Sequence, residues 1–346
     1  MRAINASRSL KPRGEATRMC ALQLPMNVIS FHTSVLAVCA ASFALTALLA
    51  RYAQPLCTRL RLIDLPDARK LHTAATPLLG GLALLLAILP LGLLASALVW
   101  PVSEMRSVVL MVVTIAAITA IGIADDRESL APRWRVLLGF AVFGGLAALD
   151  PSFLVRVLRF PLIGLQFGLA FDWLAVFFTA LCLVGLVNAV NMADGKNGLV
   201  LGLCTGWLIL LALRAKPNDL PMIAAILAGV IALLIMNLRG RLFLGDGGAY
   251  GLAAAVGLLT IRTYNSSYMD LTIGLSAEEV VLLFIVPVLD SFRLTFVRWR
   301  RGQSPMAPDR DHLHHHLQDR FGWPTGLFVY LVIALVPATV VLFATA

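Results

Sequence analysis

Five short polar stretches stand out in an otherwise strongly apolar chain. In order they are 64–81 (DLPDARKLHTAATPLLGG), 125–135 (DDRESLAPRWR), 188–199 (NAVNMADGKNGL), 243–248 (FLGDGG) and 304–317 (SPMAPDRDHLHHHL). Their carboxylate and amide oxygens suit Mg²⁺, which typically takes one or two protein carboxylates together with substrate phosphates. Arg and Lys neutralise phosphate oxygens in a transition state, and glycines let the backbone approach a nucleotide closely. Together these residue types indicate phosphate chemistry.

Each stretch taken alone also has a structural explanation. Asp125 and Asp126 could cap a helix end, and Asp246, between glycines, could do the same at a helix start. The DG and NG pairs in 188–199 are ordinary turn signals. The histidines at 312–316 could form a solvated loop, because a soft-metal site usually adds cysteine or an i, i+4 pair. The sequence has no GxxxxGK[ST] motif and no GxGxxG motif after a strand, which excludes those two nucleotide-binding folds.

The elements that position these residues are predicted from composition. The chain has 346 residues, of which 59% are hydrophobic and 14% charged, and its mean hydropathy is +0.86. A soluble domain is typically about half apolar and a quarter charged. We therefore expect an all-α polytopic membrane protein. Apolar runs predict a bundle of about ten transmembrane helices, at 28–50, 77–99, 108–124, 136–149, 169–187, 198–213, 221–238, 249–263, 277–296 and 326–345.

The distribution of basic residues predicts how these helices are oriented. Loops that follow odd-numbered helices hold seventeen Lys and Arg residues; the other loops hold six, namely Arg106, Arg156, Arg159, Arg214, Lys216 and Arg262. The positive-inside rule places the odd loops in the cytoplasm and both termini outside. All five polar stretches follow odd-numbered helices. We therefore expect one composite site, built from cytoplasmic active-site loops.

The net charge of +9 follows from this asymmetry and from attraction to anionic lipid and phosphate. It requires no nucleic acid, since no basic stripe interleaved with aromatic residues occurs. Residues 1–27 form a basic tail that does not fit the rule, so we expect either a disordered segment or a translation start at Met19 or Met26. The integral membrane domain then spans 28–346. The five cysteines are scattered, which argues against a disulfide framework or a zinc site.

Two further features bear on function. Asp290 lies inside an apolar run, where an acid is a functional or structural anchor by default. A flippase or transporter for lipid-linked sugars is the alternative to an enzyme, although transporters usually carry their polar residues near the bilayer midplane, often with repeat symmetry. Finally, residues 151–168 alternate partly between apolar and polar on either side of Pro-Leu-Ile-Gly, which predicts a short external β-hairpin.

The five stretches occur in the order and approximate spacing of the polyprenyl-phosphate N-acetylhexosamine-1-phosphate transferases, which the chain resembles over about residues 60–320. This superfamily includes the enzymes that start O-antigen, teichoic acid and related envelope polymers, and the phospho-MurNAc-pentapeptide translocase. The HxHH form at 312–315 resembles the branch that uses UDP-GlcNAc. The resemblance implies a ten- or eleven-helix bundle in the bacterial cytoplasmic (inner) membrane, with the site in a cytoplasmic groove; a homodimer is possible.

The resemblance also implies a reaction. The phosphate of undecaprenyl phosphate attacks the β-phosphorus of a UDP-N-acetylhexosamine, giving a polyprenyl-diphospho-sugar and UMP, with Mg²⁺ (or Mn²⁺) as cofactor. A lipid phosphate is mostly dianionic near neutral pH, with a second pKa of about 6, so a strong base is unnecessary. A covalent aspartyl phosphate is the competing scheme. The sequence alone does not choose between the schemes, nor among the UDP-sugars and polymers.

Residue roles follow from the match. Asp246 corresponds to the metal-binding aspartate and Asn191 to an amide beside the metal. The paired acids Asp125 and Asp126 correspond to residues thought to engage the lipid phosphate. The remaining matches are Asp194, Gly195, Asn197 and Phe243 for the nucleotide; Arg133 or Arg135 for a cation near the diphosphate; Arg310, His312, His314 and His315 for sugar or diphosphate; and Lys70, His72 and Asp290 as further candidates. The chain departs from the family pattern at Ser129, Asn197 and Ala249, none of which is in the expected metal set.

Overall fold

The computed structural model of the chain describes residues 28–66, 74–266, 274–302 and 311–344, so the basic tail 1–27 lies outside the described residues. The helices are α1 (Val28–Arg51), α2 (Ala53–Leu60), α3 (Gly80–Ala83), α4 (Leu89–Val99), α5 (Met105–Glu128), α6 (Pro132–Leu149), α7 (Asp172–Ala193), α8 (Leu199–Arg214), α9 (Leu220–Leu238), α10 (Gly245–Ser266), α11 (Ala277–Arg300), α12 (Leu313–Phe321) and α13 (Thr325–Ala344). Two small antiparallel pairs complete the described fold: β1 (Ile63–Asp64) with β2 (Thr76–Pro77), and β3 (Val157–Phe160) with β4 (Leu165–Gly168).

The predicted all-α multi-pass membrane fold is confirmed. Within the described residues, eight helices are long and apolar enough to cross a membrane. Each of the ten predicted runs coincides with helical structure, but two fall short of those eight: α8 has only 16 residues, and α10 is less apolar. The count of ten therefore stays a prediction.

Helix α10 lies at the centre of the bundle, which explains its composition. Every residue from Gly247 to Tyr264 is buried, and α10 packs against α5, α7 and α8. Small residues permit this close approach: a Cβ added at Gly251 would lie 2.2 Å from the Thr119 hydroxyl oxygen. A helix surrounded by protein needs small residues for contact more than it needs long apolar side chains for lipid.

Helix α3 continues through a π-helical turn (Leu84–Ile88) into α4, so that Gly80–Val99 forms one span. Pro90, in the first turn of α4, has no N–H to donate to the preceding turn, which accounts for the local change in hydrogen bonding. The start of this span lies against the start of α10, where the Gly80 amide donates to the Leu244 carbonyl at 3.1 Å.

At the other end of α10, the predicted β-hairpin is confirmed. Strands β3 and β4 pair in antiparallel register, with Phe160 opposite Leu165. The turn is a short 3₁₀ segment (Pro161–Ile163) closed by Gly164 at φ +66°, a conformation that favours glycine. Its location outside the membrane stays a prediction.

Candidate functional site

The site begins where the end of α5 meets the start of α10. Both carboxylate oxygens of Asp126 accept backbone N–H groups, from Asp246 at 2.8 Å and from Gly247 at 2.9 Å. Asp126 therefore caps α10 and fixes the position of Asp246 in its first turn. Glycine is needed at this junction, because a Cβ at Gly122 would lie 2.5 Å from the Asp246 carbonyl oxygen.

Asp125 is held differently. Its Oδ2 accepts from Arg135 Nη1 at 2.6 Å and from the Tyr250 hydroxyl at 3.2 Å, and the residue is buried. Arg133, two residues before Arg135 on α6, is exposed and lies over the Trp134 ring. The structure thus places Arg135, rather than Arg133, at the acids. Tyr250 was not among the residues predicted from sequence.

Four carboxylates come together here. The Asp246 carboxyl interacts electrostatically with those of Asp125, Asp126 and Asp194. Burial, reinforced by the negative charge of Asp126, raises the pKa of Asp194 to about 7. Within the described residues, one of the four carboxylates forms an ion pair: Asp125 pairs with Arg135. Each ionised carboxylate in this partly desolvated cluster therefore disfavours ionisation of its neighbours, and a bound cation would relieve that repulsion.

This donor set fits a hard divalent cation. In the described parts of the chain, no three His, Cys, Asp or Glu residues are arranged to hold a metal by themselves. Mg²⁺ does not need such a trio, because it commonly takes one or two carboxylates and completes its shell with water and substrate phosphates. Asn191, the predicted amide neighbour, is half-buried one turn before Asp194, whose amide donates to its carbonyl at 3.1 Å.

The 194–198 turn is fixed by a residue that the sequence reasoning missed. Buried Asn237, at the end of α9, accepts the Gly198 amide at 2.6 Å. Its amide nitrogen donates to the Leu242 carbonyl at 3.0 Å and lies 3.4 Å from Asn197 Oδ1. One side chain therefore connects the 188–199 stretch to Leu242, the residue before the 243–248 stretch. In the sequence, Asn237 stands out only as a lone amide at the end of an apolar run. A buried polar group at such a position needs hydrogen-bond partners.

The 243–248 stretch also contacts the first stretch. The Phe243 amide donates to the Pro77 carbonyl at 2.9 Å, and its carbonyl accepts from Leu79 at 3.1 Å. This parallel bridge holds Phe243, which is half-buried, between the start of α3 and the start of α10. Lys70 and His72 lie outside the described residues.

The histidine stretch also contacts the 194–198 turn. Asp290 on α11 accepts from the Leu313 amide, and one of its oxygens lies 2.9 Å from His312 Nδ1, so Asp290 anchors the start of α12. His314 is 1% exposed, and its Nε2 would lie 2.6 Å from a Cβ added at Gly195. Only glycine fits against that ring. Arg310 lies outside the described residues.

The imidazole of His314 is also unusual in its pKa and in its lack of hydrogen bonds to the described residues. Burial, together with the neighbouring His315 and His312, lowers the pKa of His314 to about 3, so the ring is neutral at physiological pH. Neither ring nitrogen has a hydrogen-bond partner among the described residues. The ring of His315 lies 4.3 Å away, centroid to centroid. A buried imidazole with both nitrogens unpaired is suited to receive a ligand.

Trp323, which was not predicted from the sequence, connects the segment between α12 and α13 to the 194–198 turn. Its indole N–H donates to the Asn197 carbonyl at 3.1 Å. The structure therefore brings together the described parts of all five polar stretches, at one end of the bundle.

Comparison with known proteins agrees with this arrangement. Residues 108–264 match the family described as glycosyl transferase family 4. A probable undecaprenyl-phosphate N-acetylglucosaminyl 1-phosphate transferase of Bacillus subtilis is 27% identical over 88% of this chain and 81% of its own. A decaprenyl-phosphate N-acetylglucosaminephosphotransferase of Mycobacterium leprae is 30% identical, over 76% and 71%. A phospho-N-acetylmuramoyl-pentapeptide-transferase of Moorella thermoacetica is 32% identical, over 77% and 82%. The predicted resemblance is confirmed, and the chain belongs to glycosyl transferase family 4, the polyprenyl-phosphate N-acetylhexosamine-1-phosphate transferases.

Proposed function

We propose that this protein transfers N-acetylhexosamine 1-phosphate, specifically GlcNAc 1-phosphate, from a UDP-sugar to undecaprenyl phosphate. A lipid phosphate oxygen forms a bond to the β-phosphorus, the bond from that phosphorus to the bridging oxygen breaks, and UMP leaves. The product would start an envelope polysaccharide of the O-antigen, teichoic acid or exopolysaccharide type. The observation that carries the proposal is the cluster of four carboxylates beside Arg135 and the 194–198 turn.

The two paired acids have different roles in this proposal. Asp126 uses both oxygens to hold the Asp246 and Gly247 amides, so it acts as a positioning residue. Asp125 engages Arg135 and Tyr250 through Oδ2 alone. Its carboxyl also hydrogen-bonds that of Asp246, so Asp125 lies beside the proposed metal ligand, where it would orient the lipid phosphate or accept a residual proton. Arg135 neutralises the phosphate charge beside it.

The donor set also suggests which residues hold the metal. Asp246, with the Asn191 amide as a second candidate, would bind Mg²⁺ or Mn²⁺ together with the substrate diphosphate. When bound, the ion supplies neutralisation of the charge that builds up on the leaving phosphate. Helix α10 contributes the partial positive charge of its N-terminus at the same place.

The UDP-sugar would lie between the carboxylate cluster and the histidines of α12. Gly195, Asn197 and Phe243 are proposed to contact the uridine. His314, being neutral, can donate one hydrogen bond and accept another, which suits a diphosphate oxygen or a sugar hydroxyl. Asp290 and Trp323 act through their contacts with α12 and the turn, so they position the site rather than bind substrate.

A direct assay tests the proposal against the flippase alternative. Purified protein in nanodiscs, with undecaprenyl phosphate and Mg²⁺, is given labelled UDP-GlcNAc, UDP-GalNAc and other UDP-sugars in separate reactions. The proposal expects release of UMP, fastest with UDP-GlcNAc, and no release after EDTA treatment. Absence of UMP with every UDP-sugar, despite folded protein, would favour a flippase.

The proposed location is the cytoplasmic membrane, with the site facing the cytoplasm. A tag at Ala346 should be reached by external reagents, and a tag inserted at Gln303 should not. Labelling of both tags from the same side would contradict the proposed orientation.

A further inference from the structure

The β3–β4 hairpin, at the end of the bundle away from the acids, has two unlike faces. The cross-strand pairs Leu158 with Phe167 and Phe160 with Leu165 place four large apolar side chains on one face. The rings of Phe160 and Phe167 meet edge to face at 6.2 Å. The alternate pairs, Val157 with Gly168 and Arg159 with Gln166, form a more polar face. The hairpin is therefore amphipathic.

Its orientation is fixed by contacts with the bundle. The Tyr264 hydroxyl, at the end of α10, donates to the Val157 carbonyl at 2.7 Å and accepts from the Arg159 amide at 2.9 Å. The Arg159 guanidinium lies over the Tyr264 ring. At the turn, the Leu162 amide donates to Glu278 Oε1 at 2.9 Å, at the start of α11. These contacts hold β3 and leave β4 as the outer strand.

On the apolar face, Leu158 and Phe160 of β3 pack against the core, whereas the side chains of β4 and the tip are left uncovered by the protein. Leu165 and Phe167 on β4 are 47% and 53% exposed, and Leu162 and Ile163 at the tip are 57% and 64% exposed. An uncovered apolar patch of this kind marks a surface that meets another apolar phase.

The bilayer is close enough to be that phase. Helix α7, which is long and apolar enough to cross a membrane, starts at Asp172, four residues after β4 ends. Four extended residues reach at most about 14 Å. Phe171 and Trp173 at this helix start are exposed and stacked at 6.1 Å, and tryptophan at the end of a span typically lies at the lipid headgroups. The end of β4 therefore lies within about 14 Å of a helix start that carries exposed aromatic side chains.

We propose that the hairpin is an interfacial anchor: its tip and the apolar side chains of β4 insert into the headgroup and upper acyl region of the bilayer. Burial of Leu162, Ile163, Leu165 and Phe167 would fix the depth of the ends of α7, α10 and α11, which the hairpin joins. The proposed partner is lipid, not a second protein. The proposal does not depend on the transferase reaction.

Spin-label accessibility tests the anchor. Nitroxides are attached to Ile163→Cys, Phe167→Cys and, as the matched control on the other face, Gln166→Cys, in a chain whose five native cysteines are replaced, and the proteins are placed in nanodiscs. Collision with oxygen, which concentrates in the bilayer, should dominate at positions 163 and 167. Collision with a water-soluble nickel chelate should dominate at 166. Equal access of the nickel chelate to all three sites would overturn the proposal, as would shielding of 163 and 167 from both reagents.

A second measurement covers the case in which the cysteine-free chain does not fold. The photoreactive residue p-benzoylphenylalanine is placed at 163 or at 166 in the otherwise unaltered chain, and adducts are identified by mass spectrometry. The proposal expects lipid adducts at 163 and few at 166. Cross-links at 163 to a second copy or another protein, without lipid, would contradict it.

Discussion

The two ends of the helix bundle differ in whether their acidic residues are paired with cations. At the hairpin end, Asp219 pairs with Arg262 at 2.7 Å, and Glu279 pairs with Arg214 at 3.0 Å. At the other end, Asp126, Asp194 and Asp246 interact with one another, and no ion pair to a cation is recorded for any of the three in the described parts of the chain.

We interpret this difference as one between charge that packs the fold and charge that serves the proposed function. A buried acid with a close cation and no access to substrate does little besides holding its neighbours in register. Several half-buried acids without cations repel one another, so their presence points to a ligand that supplies the missing charge. In the proposed function, cation and phosphate binding therefore belong to the end with Asp246, and the ion pair at the end with Asp219 serves packing.

The largest expected effect is on chemistry at the unbalanced end. Asp246→Asn keeps the size and one oxygen but removes the anionic ligand, so UMP release should fall by more than about 100-fold. The measurement is turnover of purified, folded protein in nanodiscs. Asp219→Asn at the other end is the matched control and should keep turnover per folded molecule. Near-normal kcat in folded Asp246→Asn would remove the metal assignment.

The next effect is on stability at the balanced end. Arg262→Ala leaves buried Asp219 without its cation and should lower the free energy of unfolding by about 3–5 kcal/mol. The loss also removes the guanidinium from the Trp100 ring, 4.5 Å away. Thermal unfolding of the purified protein measures this change. The double variant Arg262→Met with Asp219→Leu should recover much of the loss, and a double variant as unstable as the single one would argue against an ion-pair role.

A smaller effect is expected at the nucleotide turn. Asn197→Ala should raise KM for the UDP-sugar by about tenfold and change kcat little, because a uridine contact is present in the ground and transition states alike. His314→Ala should lower both kcat and kcat/KM if the ring contacts the diphosphate as its charge shifts. Steady-state kinetics with varied UDP-GlcNAc measures both variants. A drop in kcat alone for Asn197→Ala would assign it to the reaction instead.

The smallest effect concerns the support of Asp125. Tyr250→Phe removes one 3.2 Å hydrogen bond and leaves Arg135 in place, a change of about 1 kcal/mol or a few-fold in kcat. Arg135→Lys should cost more, since Lys cannot reproduce the guanidinium geometry. If Tyr250→Phe were as damaging as Asp125→Asn, the hydroxyl itself would have to contact substrate.

Much of this fold could be predicted from local patterns. Apolar runs locate the helices because lipid demands about 20 apolar residues, and the Pro-Leu-Ile-Gly turn marks the hairpin. Helix α10 shows where this reasoning weakens: it contacts protein on all sides, so its hydropathy does not report a lipid environment.

The site was predictable as a set of stretches but not as a set of contacts. Choosing Arg135 over Arg133 requires knowing which side of α6 faces α5. The capping of α10 by Asp126 joins residues 120 positions apart, and nothing in either local sequence reports it. Asn237 and Trp323 are single polar groups whose partners lie on other elements, so only the folded arrangement shows that they hold the 194–198 turn.

The central claim is that the unbalanced carboxylates bind a divalent cation through Asp246. Electron paramagnetic resonance of Mn²⁺, titrated into purified protein with UDP-GlcNAc present, measures this binding without requiring turnover. The account predicts one bound Mn²⁺ in the wild type, affinity at least about tenfold weaker in Asp246→Asn, and unchanged affinity in folded Asp219→Asn. Equal Mn²⁺ affinity in the wild type and in folded Asp246→Asn would contradict it.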